Sequence, residues 1–321
     1  DTEDDCYSVY LMPWKIQELV KKYSDYVRWP IVMDVEQSDW VDSGEKDEKG
    51  EPKMEMVTKT EEQTVNSMIP IWQRSRKEAT DEECIAFYKE KFHDNDDPLA
   101  VIRVNAEGLI SYRALLFIPS KVPANMYTRD ADPGLELYSS GVMIMDRCTD
   151  LLPPCYAFAR GVVDSPDLSL NISREMLQHD RQLKLIAANL GKKIKSELTK
   201  LMTNDREKYE QFHAAFGMVL RAGAVTETGD KVDEIKDLLL YHTSETKLVS
   251  LKEYVDAMPA EQAKIYFACG DNVKRLLSLP QAEQLRDKGF DVLCMTSQID
   301  EYFVDTMKSY DDKPFCNIAT D

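Results

Sequence analysis

No apolar run in the 321 residues approaches the roughly 18 needed to cross a bilayer, and no signal peptide is recognisable, so a cytoplasmic, non-membrane protein is expected. Basic residues are outnumbered: 40 Lys and Arg face 58 Asp and Glu, giving a formal net charge of −18. Without a basic field to displace counterions from a phosphate backbone, nucleic-acid binding is not expected. The acidity speaks instead for solubility. No CxxC occurs. The seven cysteines (Cys6, Cys84, Cys148, Cys155, Cys269, Cys294, Cys316) are scattered and odd in number, several of them inside apolar runs such as "YFACG" and "DVLCM". They read as small buried hydrophobes in a reducing compartment. The four histidines lack ligand spacing, so no metal site is expected. GxSxG, HExxH, P-loop and GxGxxG motifs are all missing, and nothing pairs a nucleophile with a base. The acidic clusters "DEE" at 81–83 and "NDD" at 95–97 read as solvated faces or caps. No internal repeat or low-complexity tract is found.

What is present is ordinary globular composition, with 43% hydrophobic and 31% charged residues, in a length that predicts about two domains. The chain opens "DTEDDC" without methionine and ends "CNIATD" just after a strand-like segment, so it reads as a piece of a longer protein. Pro13 opens a short amphipathic helix with Ile16, Leu19, Val20 and Tyr23 at helical spacing, and "VRWPIVM" reads as a strand. Residues 41–56 are polar and turn-rich, a loop or linker. Thr80 and Glu83 stand in capping-box spacing before a helix. Strands are expected at "LAVIRV", "SYRALLFIPS" and "LELYSSGVMIM", a helix at "DLLPPCYAFARGVV", and helix throughout 173–221. Leu183, Ile186, Ala187, Leu190, Ile194, Leu198 and Leu201 mark its apolar stripe. "DKVDEIKDLLLYH" reads as helix, and Ser250 with Glu253 caps another. "AKIYFAC", "NVKRLLSLPQAEQLRDKG", "FDVLCM", "SQIDEYFVDTMKSY" and "PFCNI" then alternate β-α-β-α-β, which implies a parallel sheet. The fold class is α/β: a large α-β-α layered domain, long connecting helices, and a smaller α-β-α domain with a short parallel sheet.

The stretch "LNISREMLQ" carries the most specific chemistry. Asn171 or Ser173 reads as an N-cap, which places Arg174 in the first helical turn, where the dipole does not favour a cation. At about 100° per residue, Asn171, Arg174 and Gln178 share one helix face, near 0°, 300° and 340°. Free backbone N–H groups, the dipole and a guanidinium together suit an anion, most plausibly phosphate. The structural alternative pairs Arg174 with Asp164 or Asp167 on the preceding loop. Two aromatics also stand out: Trp72 in the polar "IPIWQRS" and Tyr302, next to Glu301 in "IDEYF". Core packing is their default, while partial exposure would suit a protein-binding patch.

At "RGVVDSPDLSLNISREMLQ" (Arg160–Gln178) the sequence resembles the heat-shock-protein-90 chaperone family, in particular its middle segment. "KKYSDYVRWPI", "YRALLFIPSKVP", "VSLKEYVDAM", "IDEY" and "KPF" recur in the family's order, so the resemblance runs along nearly the whole chain. The resemblance implies that Arg174 reaches the γ-phosphate of ATP held by an N-terminal domain, with Asn171 and Gln178 as supporting loop residues. It is compatible with client contact at Tyr302, and Trp72, Glu301 and Tyr302 are together expected to lie partly at the surface and to contact clients. Neither the family's glutamate–asparagine helix nor its DxGxG loop occurs here, and its C-terminal dimerisation domain is also missing. ATP and Mg are therefore expected in the absent N-terminal domain, and no cofactor in this segment. The implied partners are that domain, unfolded client proteins, and a second subunit joined through the absent C-terminal domain. The implied division is 1–34 as the tail of the nucleotide-binding domain, 35–180 as the large subdomain, 181–230 as connecting helices, and 231–321 as the small subdomain. Two departures stand out. Ser140, Gly141 and Met143 replace a basic pair and phenylalanine common in relatives, and Tyr302 stands where bacterial relatives often carry tryptophan. The short 41–56 segment favours a bacterial-type member. The expected function is an ATP-dependent chaperone's middle domain. The alternatives are a client platform in which Arg174 is only structural, and a topoisomerase-like transducer, whose QTK loop does not occur.

Overall fold

The computed structural model describes residues 7–46, 52–123, 133–168, 181–225 and 231–320. Helix α1 (Pro13–Leu19) begins with proline in its first turn and widens into a π-turn over Val20–Ser24, and neither segment buries a residue. The expected strand at "VRWPIVM" begins only at Val32. Before it, the Asn66 side chain accepts from Ile31 N (2.8 Å) and donates to the carbonyls of Val27 and Trp29, which replaces ladder bonding. Strands β1 (Val32–Lys46) and β2 (Pro52–Thr64) pair antiparallel, from Val32 opposite Thr64 to Asp42 opposite Met54. Residues 41–56 are thus largely a two-stranded ribbon rather than the expected loop. Backbone pairing satisfies an antiparallel ribbon even where its sequence is charged.

The large sheet explains itself by a period of two. Helix α2 (Asp81–Phe92) starts in the expected capping box, with Glu83 N donating to Thr80 Oγ1 and Thr80 N to Glu83 Oε2. Strands β3 (Ala100–Ala106), β4 (Tyr112–Ile118), β5 (Leu135–Ser139), β6 (Val142–Cys148) and β7 (Arg160–Asp164) lie in the order β3-β4-β7-β5-β6. On β4, Ala114, Leu116 and Ile118 join one core while Leu115 and Phe117 join the opposite core under α2, beside Cys84 and Tyr88. A strand covered on both faces reads as a continuous apolar run. Two expectations change here. "LELYSSGVMIM" is a hairpin, because Ser140 (φ 52°) and Gly141 (φ 83°) turn the chain between β5 and β6. "DLLPPCYAFARGVV" is two 3₁₀ turns (Thr149–Leu151, Pro154–Tyr156) followed by β7. Its paired prolines remove the N–H groups a helix there would need.

Helices α3 (Arg181–Asn204) and α4 (Arg206–Ala224) form the connecting layer. The helical stretch is broken at Asp205, which caps α4 by accepting from Lys208 N (3.2 Å). The expected stripe is buried at Leu183, Ile186, Leu190, Ile194 and Leu198, with Ala187 and Leu201 half-buried. "DKVDEIKDLLLYH" gives only one turn, α5 (Val232–Ile235), then a 3₁₀ turn and β8 (Leu240–His242). Next come β9 (Leu248–Ser250), α6 (Leu251–Asp256) in its expected capping box, β10 (Ile265–Cys269), α7 (Val273–Leu277), α8 (Pro280–Asp287), β11 (Leu293–Met295), α9 (Gln298–Met307), β12 (Ser309–Tyr310) and β13 (Lys313–Asn317). The β10, β11 and β13 ladder is parallel as expected, while β8, β9 and β12 add antiparallel edges in the order β12-β13-β10-β11-β8-β9. Pro280 splits the expected single helix into α7 and α8. Helices α7 and α8 cover one sheet face, while the other, with α4 and α9, shares a continuous core with the large sheet. Cys84, Cys148, Cys155 and Cys294 are buried, and burial pushes the thiols of Cys155 and Cys294 up to about 11.

Candidate functional site

Residues 169–180, which include Asn171, Arg174 and Gln178, lie outside the described residues, so the site is built from the segment that leads into them. Strand β7 ends at Asp164, whose buried carboxylate accepts from Trp72 Nε1 (3.1 Å) and Gln73 Nε2 (2.9 Å). Its other oxygen faces Gly141 N at 3.5 Å. Ser165 Oγ donates to the Ser111 carbonyl (2.7 Å) and Ser165 N to the Tyr138 carbonyl (3.1 Å). Asp167 accepts from Ser111 N at 2.6 Å, and Ser139 Oγ donates to the Leu168 carbonyl at 2.6 Å. Residues 164–168 are therefore fixed from the β4, β5 and β6 side and from the Trp72 turn. Both carboxylates named as alternative partners of Arg174 already accept hydrogen bonds from other groups. A cleft of about 900 Å³ opens beside this root, lined by Arg28 and Arg113 together with Glu107, Asp164, Tyr26 and Tyr112. Arg113 Nη1 donates to the Gln73 carbonyl at 2.8 Å, which fixes the turn that carries Trp72.

Trp72 requires a correction. It is only 6% exposed, so the expected partial exposure is not found and the ring packs in a core. Its ring packs against Tyr26 (4.6 Å), Tyr138 (5.1 Å) and Phe87 (6.0 Å). A 3₁₀ turn at Ile71–Gln73 carries the ring, and its N–H donates to the same buried carboxylate oxygen that its polar neighbour Gln73 uses. Trp72 thus ties the segment carrying Tyr26 to the root of residues 169–180. Ser140 and Gly141 belong to the same junction, since a β-carbon on Gly141 would collide with the Tyr26 backbone. Met143 packs into the aromatic cluster below.

The second region is the crossing of α4 and α9. Glu301 and Tyr302 are exposed on α9, Tyr302 by 50%, while Phe303 and Val304 are buried. Beneath them lies a buried ion pair: Arg221 Nε donates to Asp300 Oδ1 at 2.6 Å, with the two residues 6% and 1% exposed. Arg221 also donates to the carbonyls of Gly217 (3.2 Å) and Leu240 (3.3 Å), and its guanidinium stands 5.4 Å from the Tyr241 ring. His213 Nε2 accepts from Leu240 N (3.1 Å) and faces Arg221 Nη1 at 3.3 Å. Burial, reinforced by the Arg221 charge, lowers its pKa to about 3, so the ring is neutral near pH 7. Asp300 is also the N3 residue of the α9 capping box, accepting from Ser297 N at 3.2 Å. Sequence reasoning missed this network. The S-x-x-D spacing of Ser297 and Asp300 was the available signal for the cap, but a long-range partner 79 positions away leaves no local trace.

The layered sheet-and-helix architecture has two sheets that share one core through α3 and α4. A solved structure described as the middle domain of a Plasmodium falciparum heat shock protein aligns with a TM-score of 0.69 at 28% identity, over 78% of this chain and 100% of that one. The family described as Hsp90 protein matches residues 34–321, and the chain belongs to the Hsp90 family. Chaperone protein HtpG of Bacillus subtilis is 48% identical over 321 residues, covering 100% of this chain and 50% of that protein. Chaperone protein HtpG of Oceanobacillus iheyensis is 48% identical over 319 residues, covering 99% of this chain and 50% of that protein. The chain thus spans about half the length of the curated relatives it matches.

Proposed function

We propose that this chain is the middle domain of an ATP-dependent, cytoplasmic chaperone, and that Arg174, supported by Asn171 and Gln178, completes the ATPase site of an N-terminal domain. ATP and Mg would be held by that domain, and the full-length protein would hydrolyse ATP as a homodimer joined through a C-terminal domain. The observation that carries this reading is the fixed root at residues 164–168, which offers residues 169–180 a rigid base of the sort that placing a guanidinium on a phosphate requires. The division into 1–34, 35–180, 181–230 and 231–321 belongs to the same proposal. Its first part is supported by the exposed Tyr7, Tyr10, Leu11, Trp14 and Trp29, an apolar set suited to packing on the rest of a nucleotide-binding domain.

The test is ATP turnover by the full-length protein. Arg174→Ala is expected to slow hydrolysis about tenfold to a hundredfold, roughly 1.4–2.7 kcal/mol of barrier, with ATP binding nearly intact. Larger losses are typical where an arginine stabilises the transferring phosphoryl group directly, but domain closure limiting turnover would mute the effect. Arg174→Lys should restore only part, because lysine lacks the bidentate fork. Unchanged hydrolysis in the alanine variant would leave the alternative, a client platform with a structural Arg174. The exposed Glu301–Tyr302 pair favours a client-binding role in either case.

A further inference from the structure

The solvent face of α9 carries Gln298, Glu301, Tyr302 and Asp305, spaced i, i+3, i+4 and i+7, and all four are exposed. Beside it runs the outer face of α4, where Ala214, Met218 and Ala222 repeat every four residues and are also exposed. The two faces meet at the start of α9: the Met218 sulfur lies 4.0 Å from Ser297 Oγ, the N-cap of that helix. Met218 is 48% exposed and Tyr302 50%. The crest therefore offers a flexible thioether, two alanine methyls and an amphipathic ring, all exposed and without a covering element among the described residues. Glu301 and Asp305 flank the ring, and neither forms an ion pair with any described residue. The crest is also held firmly from below, because the Arg221–Asp300 pair joins α4 to α9 directly under it.

We infer that the α4–α9 crest is a seat for unfolded segments in which a basic side chain neighbours a large apolar one. This inference rests on the client-binding reading of Glu301 and Tyr302 and adds both the second helix and the charge of what is selected. Methionine adapts to differing apolar side chains, and tyrosine contributes area at small entropic cost. Uncompensated carboxylates beside that apolar ground favour lysine or arginine and repel acidic segments. An extended cationic chain satisfies both demands at once, whereas a purely apolar or acidic chain leaves the carboxylates unsatisfied.

The test uses the 321-residue chain and two fluorescent peptides of about 12 residues, one repeating Leu-Lys-Ser-Gly and the other Leu-Glu-Ser-Gly, with binding read by anisotropy. The basic peptide is expected to bind about tenfold tighter at low salt, with the gap narrowing as salt screens the carboxylates. Glu301→Gln with Asp305→Asn should close most of that gap. Met218→Ser should weaken both peptides about threefold and leave the gap in place. Equal binding of the two peptides would overturn the inference. So would a gap that persists in the Gln/Asn variant, because the whole molecule's negative charge would then be its source. If Tyr302→Ala weakens both peptides while the charge variants change nothing, the inference fails and the client-binding reading stands. If Tyr302→Ala changes neither peptide, both fail.

Discussion

At the scale of single residues, the crossing of α4 and α9 is governed by what each group loses when its partner goes. Removing Arg221 leaves Asp300, 1% exposed, as a buried carboxylate without a counterion. Breaking such a pair from one side typically costs about 3–5 kcal/mol, whereas neutralising both sides can be close to neutral. Arg221→Met should therefore be strongly destabilising in urea unfolding, and Arg221→Met with Asp300→Asn should recover most of the loss. The asparagine keeps the α9 cap that Asp300 supplies by accepting from Ser297 N. If the double variant is no more stable than the single one, the charge is not what dominates this site. His213 gives the same network a pH signature. Its folded pKa, about 3, lies below the unfolded value near 6.5, so the unfolded chain binds the proton more readily between those values. Stability from this residue is complete above about pH 6.5 and falls as pH drops toward 3, by up to about 1.4 kcal/mol per pH unit. His213→Gln should flatten that slope in urea midpoints compared at pH 7.5, 5.5 and 4.5. An unchanged slope would place the acid sensitivity elsewhere.

At the scale of elements, legibility followed locality. The capping boxes at Thr80–Glu83 and Ser250–Glu253, the stripe of α3 and the parallel β10, β11 and β13 series were readable because each is set by residues within a few positions of one another. The 41–56 ribbon and the Ser140–Gly141 turn were not. A charged two-stranded ribbon has no apolar alternation to read, and apolar residues on either side of a two-residue turn look like one strand. The same held for the site. Core packing was the default for both Trp72 and Tyr302, and nothing local separated the two: Tyr302 is exposed, while Trp72 is covered by Tyr26 and Tyr138, both far away in sequence. Glycines measure this difference. Gly289 ends α8 with φ 79° and open space around it, so Gly289→Ala should cost only the backbone strain, about 1 kcal/mol. Gly141 combines φ 83° with the Tyr26 backbone at van der Waals exclusion, so Gly141→Ala should cost clearly more, about 2–3 kcal/mol. Equal losses in the two variants would mean that the segment around Tyr26 yields, and that the junction with the Trp72 cluster is loose.

At the scale of the whole molecule, one apolar cluster runs from Ile102 and Leu116 in the large sheet, through Leu190 of α3 and Phe216 of α4, to Ile265, Met295 and Phe303 in the small sheet. Chains above about 150 residues commonly unfold in steps, domain by domain. Here the two sheets share their core through α3 and α4, and the Arg221–Asp300 pair fastens the smaller sheet's α9 to α4. Neither sheet can expose its inner face without stripping those helices, so the two should melt together. The tail at 7–24 lies outside that cluster and should loosen first without a separate heat peak, since it buries no residue of its own. Calorimetry should therefore give one main endotherm whose calorimetric and van't Hoff enthalpies agree. In Arg221→Met that single peak should move down as a unit, on the order of 10 °C for a loss of about 3–5 kcal/mol. Two resolved endotherms in the unaltered chain would mean that α3 and α4 act as a linker between independent domains. Two endotherms appearing only in Arg221→Met would assign the coupling to the buried pair instead of to the shared apolar core.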